Sequence, residues 1–570
     1  MSAAADRIHQ AWYLRKSMSI SSDRGLCSSF TIVQSVIVIL LAICGIRKAN
    51  APPLRNIILV RQYAEWASIA KTWLLSLSKL EAFIILTTLW TVYRIGVYTY
   101  RLFLHPLSKY PGPRLAAASS VYEMYHDIVK KGDMTFHMDE LHRKYGPIVR
   151  ISPNKVRLRD SSAFHELHKV GSPLIKDPGF YSLFGLANST FSTINPIIHR
   201  KQRRILDPMF SRRSILGFEN VVQEKCDLLC YKIRELEQAD SKVSFHNAFV
   251  ALTIDIVTEY AYAKSYNTLL NEGFVSKVSS AFDAQQEAFM VLKSFPIIAK
   301  VFQSLPPWLL MKVFPDGAGF RELEVDAEAQ LKTVLEKTRN GEVKTGHRTV
   351  FLEMLEGYHN PNPQDLVHEA VSVVGAGMHT TRWILCVGAL EVARNPEIAW
   401  KLYEELKTAI PNINDNLPYE QLENLPYLRG VVKEALRLGY GIVSASPRLV
   451  PREGAVIGGY HLPSDSVIEI DHYSVSHDEE IFPDSYTFSP ERWLSPESKT
   501  KEKYVIAFGA GSRQCLGVNL AYCELYLAFA GIFRRFELDA VGHDHMTFSD
   551  HWMPILRGES FACKVRSRQD

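Results

Sequence analysis

The stretch FGAGSRQCLG, residues 508–517, decides how this chain is to be read. Its glycines let the backbone pack close to a flat ligand, and one cysteine, Cys515, sits among them. The run that follows, VNLAYCELYLAFAGIF at 518–533, has helical apolar spacing, so the sulfur stands near the N–H groups that open a helix. That setting favours the thiolate. Upstream, KEALRLG places Glu434 and Arg437 on one helical face, FSPERW at 488–493 carries Arg492, and SPRLVP carries Arg448. VVGAGMHTT, 373–381, lies inside a long helical pattern at 364–395. It is not a dinucleotide loop: Thr380 occupies the third glycine position, both flanks read as helix, and no acid stands about 20 residues on.

These pieces occur in the order and spacing of a known family. With Phe508, Gly511, Arg513, Cys515 and Gly517 the loop resembles the cytochrome P-450 signature F-x-x-G-x-R-x-C-x-G. The resemblance makes Cys515 the axial ligand of haem b (iron protoporphyrin IX), assigns Arg513 to a haem propionate, and packs Phe508 near the sulfur. It joins Glu434, Arg437 and Arg492 in a buried structural network. Arg448 falls at a second propionate position. HRKQRRILDPMFS, 199–211, matches the family's W-x-x-x-R helix, with Arg203 at the propionate position and His199 where Trp is usual. In the oxygen-activation helix, Ala376 and Gly377 leave room over the haem and Thr380 helps deliver protons. Here the sequence departs, because the position of the usual acid holds His379. A histidine can shuttle protons but lacks the carboxylate's negative charge. Family position also makes Phe180, Phe184, Phe289, Val374, Ile442 and Trp552 walls of an apolar substrate pocket, although each side chain could equally be core packing.

YRLFLHPLSKYPGPRLA, LHRKYGPIVRISPN and IDIVTEYAYAKSY narrow the likeness to fungal microsomal members of the trichothecene-oxygenase or benzoate-hydroxylase type. The resemblance implies a monooxygenase acting with O2 on a lipophilic secondary metabolite, a terpenoid or related polycyclic compound. Electrons would come from NADPH through NADPH-cytochrome P-450 reductase, with cytochrome b5 as a second donor, because the chain has no flavin or NAD fingerprint of its own. Two other classes stay open: an O2-independent haem-thiolate isomerase or dehydratase, and a non-catalytic haem-binding membrane protein.

The rest of the chain sets the frame. Its 570 residues are 47% hydrophobic and 22% charged, ordinary for a globular protein, and a net charge of +4 gives no case for nucleic acid. The eight cysteines lack C-x-x-C spacing, and Cys226 with Cys230 reads as two packing thiols sooner than as a metal pair. Residues 30–46 and 82–100 are both apolar enough for a membrane segment, and which of them spans is open. Arg94, Arg101 and Lys109 favour a cytoplasmic body, so the expected location is the endoplasmic reticulum membrane. Pro111-Gly112-Pro113 cannot continue a helix and reads as a stiff hinge. The expected architecture is mainly α with small β-sheets, the cytochrome P-450 fold. An N-terminal region, 1–104, precedes a haem domain, 105–570.

Overall fold

The computed structural model describes residues 78–314, 318–340, 347–359, 361–540 and 543–569. The apolar segment at 30–46 lies outside the described residues. The chain divides into two units, Met1–Arg94 and Ile95–Asp570. The first is described from Ser78 onward, where helix α1, Lys79–Thr99, begins. Continued by a π-turn to Leu104, it is the one span among the described residues long and apolar enough to cross a membrane, and none of it is buried.

Within the second unit, Arg101 donates to the carbonyl of Ala118 (2.9 Å) and accepts from Arg150 Nη1 (2.9 Å) through its own carbonyl. The Pro-Gly-Pro segment ends the helical run as expected, but it is no free hinge. Pro111 accepts from the Arg150 N–H at 2.7 Å, and a Cβ on Gly112 would lie 2.3 Å from the Arg150 carbonyl oxygen. Close backbone contact with the first strand explains the glycine.

The strand-like pieces form as read. Strands β1 (Ile148–Ser152) and β2 (Lys155–Leu158) pair antiparallel. With β3 (Ile175–Lys176), β4 (Arg448–Leu449) and β5 (Val467–Glu469) they make one sheet in the order β1-β2-β5-β4-β3. Only the β2–β5 pairing is parallel. Register sets Arg157 opposite Glu469, and they pair at 2.9 Å. It also sets Lys176 opposite Arg448, a placement that costs stability unless an anion intervenes.

Six helices position the site: α2 (Pro196–Leu206), α3 (Arg212–Gln238), α4 (Phe245–Tyr262), α5 (Lys277–Ser294), α6 (Pro363–Arg394) and α7 (Pro426–Gly439). A seventh, α8 (Val518–Arg535), follows the cysteine loop. Asn362 caps α6 through the Gln364 N–H, with Pro363 in the first turn, and the helix then runs 32 residues to Arg394. Nearly every residue of α4 is buried, as its apolar character on all sides requires. It packs along α6, which also contacts α7 and α8. At the end of α5, Lys293 pairs with Glu123 (2.9 Å) and Asp127 (2.8 Å), which fixes that helix against the N-terminal part of the body. Cys226 and Cys230 are both buried in the main core, pushed up in pKa by burial, so they are packing thiols.

Candidate active site

The cysteine loop owes its shape to two glycines in the left-handed region, Gly509 (φ +66°) and Gly511 (φ +68°). At Gly511 an added Cβ would sit 1.7 Å from the His168 carbonyl oxygen, so the residue is required by space as well as by φ. The Cys515 N–H donates to Phe508 O at 2.9 Å and closes the turn. Cys515 itself is exposed, and Gly517 caps α8 two residues later. Burial of the surroundings pushes the Cys515 thiol up, opposed by the Gly517 backbone and the Arg203 charge. Phe508 packs edge-tilted on Tyr522 at 5.2 Å, against the main core.

Around the loop lies a set of cations. Arg513 donates to the carbonyls of Thr193 (2.7 Å) and Ile194 (3.0 Å), and Arg448 to Tyr181 Oη (3.3 Å) and to the carbonyls of Ser446 and Pro447 just before its strand (both 3.2 Å). Arg203 donates to Gln514 O (3.0 Å) and pairs with Asp207 (2.8 Å). Lys176 is buried, bonded to Phe191 O and stacked on Tyr181 (4.2 Å) and Phe191 (4.6 Å). Burial, then Arg448 and Arg513, hold the Lys176 ammonium well below its ordinary value. Burial, Arg513, Lys176 and Arg203 bring His199 down to about 3, and burial with Arg448 and Arg203 brings Arg513 to about 10.

Among the described residues no carboxylate pairs with Lys176, Arg448 or Arg513. Cations brought together this way call for an anion from outside the chain, and the two propionates of a haem beside Cys515 fit that requirement. Sequence reasoning missed Lys176. Nothing in SPLIKDP marks it, and only its register opposite Arg448 reveals it.

On α6, Ala376 and Thr380 share an open face, while Gly377 does not. A Cβ on Gly377 would meet Val257 Cγ2 at 2.8 Å, so that glycine lets α4 close against α6 instead of clearing space on the open side. The Thr380 hydroxyl donates to Ala376 O at 2.8 Å. His379 is turned away into the protein, 2% exposed, with Nδ1 3.5 Å from Asp283 of α5.

Glu434, Arg437 and Arg492 come together as expected. Glu434 is fully buried, its two oxygens meeting Arg437 Nε (2.5 Å) and Arg492 Nε (2.8 Å). The spare guanidinium donors reach carbonyls of Ser476 and Thr487 from Arg437 and of Pro483 from Arg492. Every charge is thereby paired.

Phe180, Phe184, Phe289, Trp552 and Ile442 fall in one apolar cluster, joined by Tyr181 and Phe191, which sequence reasoning did not pick. Ring centroids lie 4.9–6.4 Å apart in mostly edge-to-face pairs, for example Phe184–Phe191 at 4.9 Å and Phe180–Trp552 at 5.9 Å. Val374 departs from its expected place. It is fully buried in the main core, because its side of α6 faces the other helices.

A mainly helical fold carrying an exposed cysteine in a glycine loop, beside three cations that have no carboxylate partner among the described residues, is the architecture of a haem-thiolate oxygenase. The sequence profile described as Cytochrome P450 matches residues 119–561, and the chain belongs to the cytochrome P450 family. Cytochrome P450 monooxygenase macH of Penicillium terrestre is 33% identical over 87% of this chain and 100% of its own length. Cytochrome P450 monooxygenase sdnE of Sordaria araneosa is 33% identical over 80% and 91%, and aflU of Aspergillus parasiticus 35% over 77% and 88%. The protein is accordingly a P450 monooxygenase of fungal type. Its cofactor is haem, its co-substrate O2, and its electrons come from NADPH through a redox partner.

Proposed function

We propose that this enzyme inserts one oxygen atom from O2 into a lipophilic secondary metabolite, a terpenoid or related polycyclic compound, at the endoplasmic reticulum membrane. The observation that carries the reading is the exposed Cys515 beside Lys176, Arg448 and Arg513, none of which has a carboxylate partner among the described residues. NADPH-cytochrome P450 reductase, assisted by cytochrome b5, is the electron donor, and the body faces the cytoplasm. The α1 helix supports a membrane anchor by its length and apolar, unburied surface.

Haem bound here supplies the redox chemistry that activates O2. In this assignment Cys515 holds the iron, and Arg513, Arg448, Arg203 and His199 hold the propionates together with Lys176. Gly511 and Gly517 shape the loop, and Phe508 shields the sulfur from water. Glu434, Arg437 and Arg492 fix the fold behind it. Ala376 keeps the face of α6 low, and Thr380 moves a proton at Oγ1 after exchanging its bond to Ala376 O for one to the reacting group. Phe180, Phe184, Phe289, Ile442 and Trp552 exclude water and orient an apolar substrate.

The test is the carbon monoxide difference spectrum of the reduced full-length protein, followed by product analysis with NADPH, reductase and extracts of the producing fungus. The expected result is a thiolate-type absorbance lost in Cys515→Ala, and an oxygenated product that depends on NADPH. Conversion without NADPH or O2 would overturn it in favour of an isomerase or dehydratase.

A further inference from the structure

The departure at position 379 has a structural counterpart on α5. Asp283 Oδ1 lies 3.5 Å from His379 Nδ1 and 3.4 Å from Arg382 Nη2. The Asp283 side chain is 46% exposed, whereas that of His379 is 2% exposed. One end of the pair therefore reaches water and the other is enclosed. His379 Nε2 is buried and has no hydrogen-bond partner among the described residues. A histidine that only filled space would leave that unsatisfied group as pure cost.

The surroundings keep the imidazole ready for exchange. Three groups with charge or a titratable proton face it: Asp283 from α5, Arg382 one turn on along α6, and His246 of α4, whose Nε2 is 3.3 Å from Arg382 Nη1. The Phe282 ring packs against the imidazole, their centroids 5.5 Å apart. Burial, then Arg382 and His246, hold His379 well below its ordinary value, so the ring is neutral. A neutral imidazole accepts at one nitrogen while donating at the other.

We propose that Asp283 provides from α5 the carboxylate that α6 lacks at position 379, and that it acts through His379 to bring protons from water to the Thr380 turn. The inference rests on the monooxygenase reading. In the relay step the Asp283 carboxyl, protonated from bulk water, gives its proton to Nδ1 as Nε2 releases one to a water molecule. No electron moves, and the ring passes from one neutral tautomer to the other. Arg382, sharing Oδ1, holds the carboxylate against the ring. Asp283 is a positioning and relay residue and touches no reacting atom.

The test uses the full-length haem-loaded enzyme with a flavoprotein reductase, without added substrate, and reads NADPH-driven O2 consumption in H2O and D2O. Asp283→Asn and His379→Phe are each expected to lower the rate about a hundredfold, the low end for a lost proton-transfer group. The double variant is expected to be no slower than either single one. Exchanging the pair, Asp283→His with His379→Asp, is expected to recover most of the rate. Glu287→Gln on the same helix removes a carboxylate that pairs with Arg557 and is expected to leave the rate unchanged.

A second readout is independent of turnover. In spectra of the protein carrying [15N]histidine, the resonances missing from His379→Phe are expected to change tautomer balance in Asp283→Asn. Wild-type rates together with unmoved His379 resonances in Asp283→Asn would overturn the proposal. A wild-type enzyme that binds haem but consumes no O2 with NADPH would overturn the monooxygenase reading instead.

Discussion

Glu369→Gln should make the protein more stable, and increasingly so as pH rises. Glu369 sits on α6, 2% exposed, and its Oε2 accepts from the Thr190 N–H at 2.6 Å and the Thr190 hydroxyl at 2.9 Å. Burial raises its pKa to about 7 from 4.5, against the lowering by Thr190 and Arg203. An acid raised on folding is neutral in both states at low pH and ionises first in the unfolded chain. Stability therefore falls as pH climbs from about 4.5 to about 7 and stays low beyond, a total loss on the order of 3 kcal/mol at pH 8. Glutamine keeps an acceptor for Thr190 and never ionises. The stability of Glu369→Gln relative to the parent should thus grow by about 2–3 kcal/mol between pH 5 and pH 8. Urea unfolding of the solubilised full-length protein, followed by tryptophan fluorescence at several pH values, measures this directly. A difference that stays flat across that range would refute the reasoning, whatever its absolute size.

Cys515→Ser should keep the fold but abolish the thiolate-type absorbance of the reduced carbonyl complex. Arg437→Ala takes the partner from Oε2 of the fully buried Glu434 and leaves Arg492 as its one ion pair, and should cost about 3–5 kcal/mol, read as loss of soluble haem-loaded protein on expression. Gly511→Ala forces a Cβ to 1.7 Å from a backbone oxygen at φ +68°, so haem incorporation should fail even where circular dichroism still shows helix. Lys176→Met removes one charge-assisted contact worth about 1.5–3 kcal/mol, and haem transfer to apomyoglobin should accelerate at least about tenfold; an unchanged transfer rate would remove Lys176 from the cofactor site.

What the sequence revealed and what it hid follow from the range of the forces involved. The α6 helix, the β1–β2 hairpin and the cysteine loop are local objects, written in apolar spacing, turn residues and glycines that sterics demand. The Glu434 network was legible because its three members carry recognisable motif spacing. Lys176 was not, because a two-residue strand has no periodic pattern and its meaning arises only from the register opposite Arg448. Val374 shows a different limit: helical spacing names the residues that share a face but not which neighbour the face meets, and α6 is wrapped on most sides. Gly377 shows the same limit in miniature, since its missing side chain serves the approach of α4.

His379 is the sharpest case. Read along the chain, it is a defect in the proton supply of the oxygen-activation helix. Read across the helices, it is half of a pair whose carboxylate comes from α5, with Arg382 touching the same oxygen. Moving the acid to the other helix keeps a carboxylate beside this turn of α6, with Arg382 as its charged partner and the neutral His379 next to it, while the motif is lost. The cations around Cys515 obey the same logic at larger scale. Lys176 and Arg448 repel across one sheet register, and their positions would become favourable with the carboxylates of a bound haem to pair with. On the proposed assignment, folding of this half of the body and retention of the cofactor would be one equilibrium, with the strand register as the element that links them.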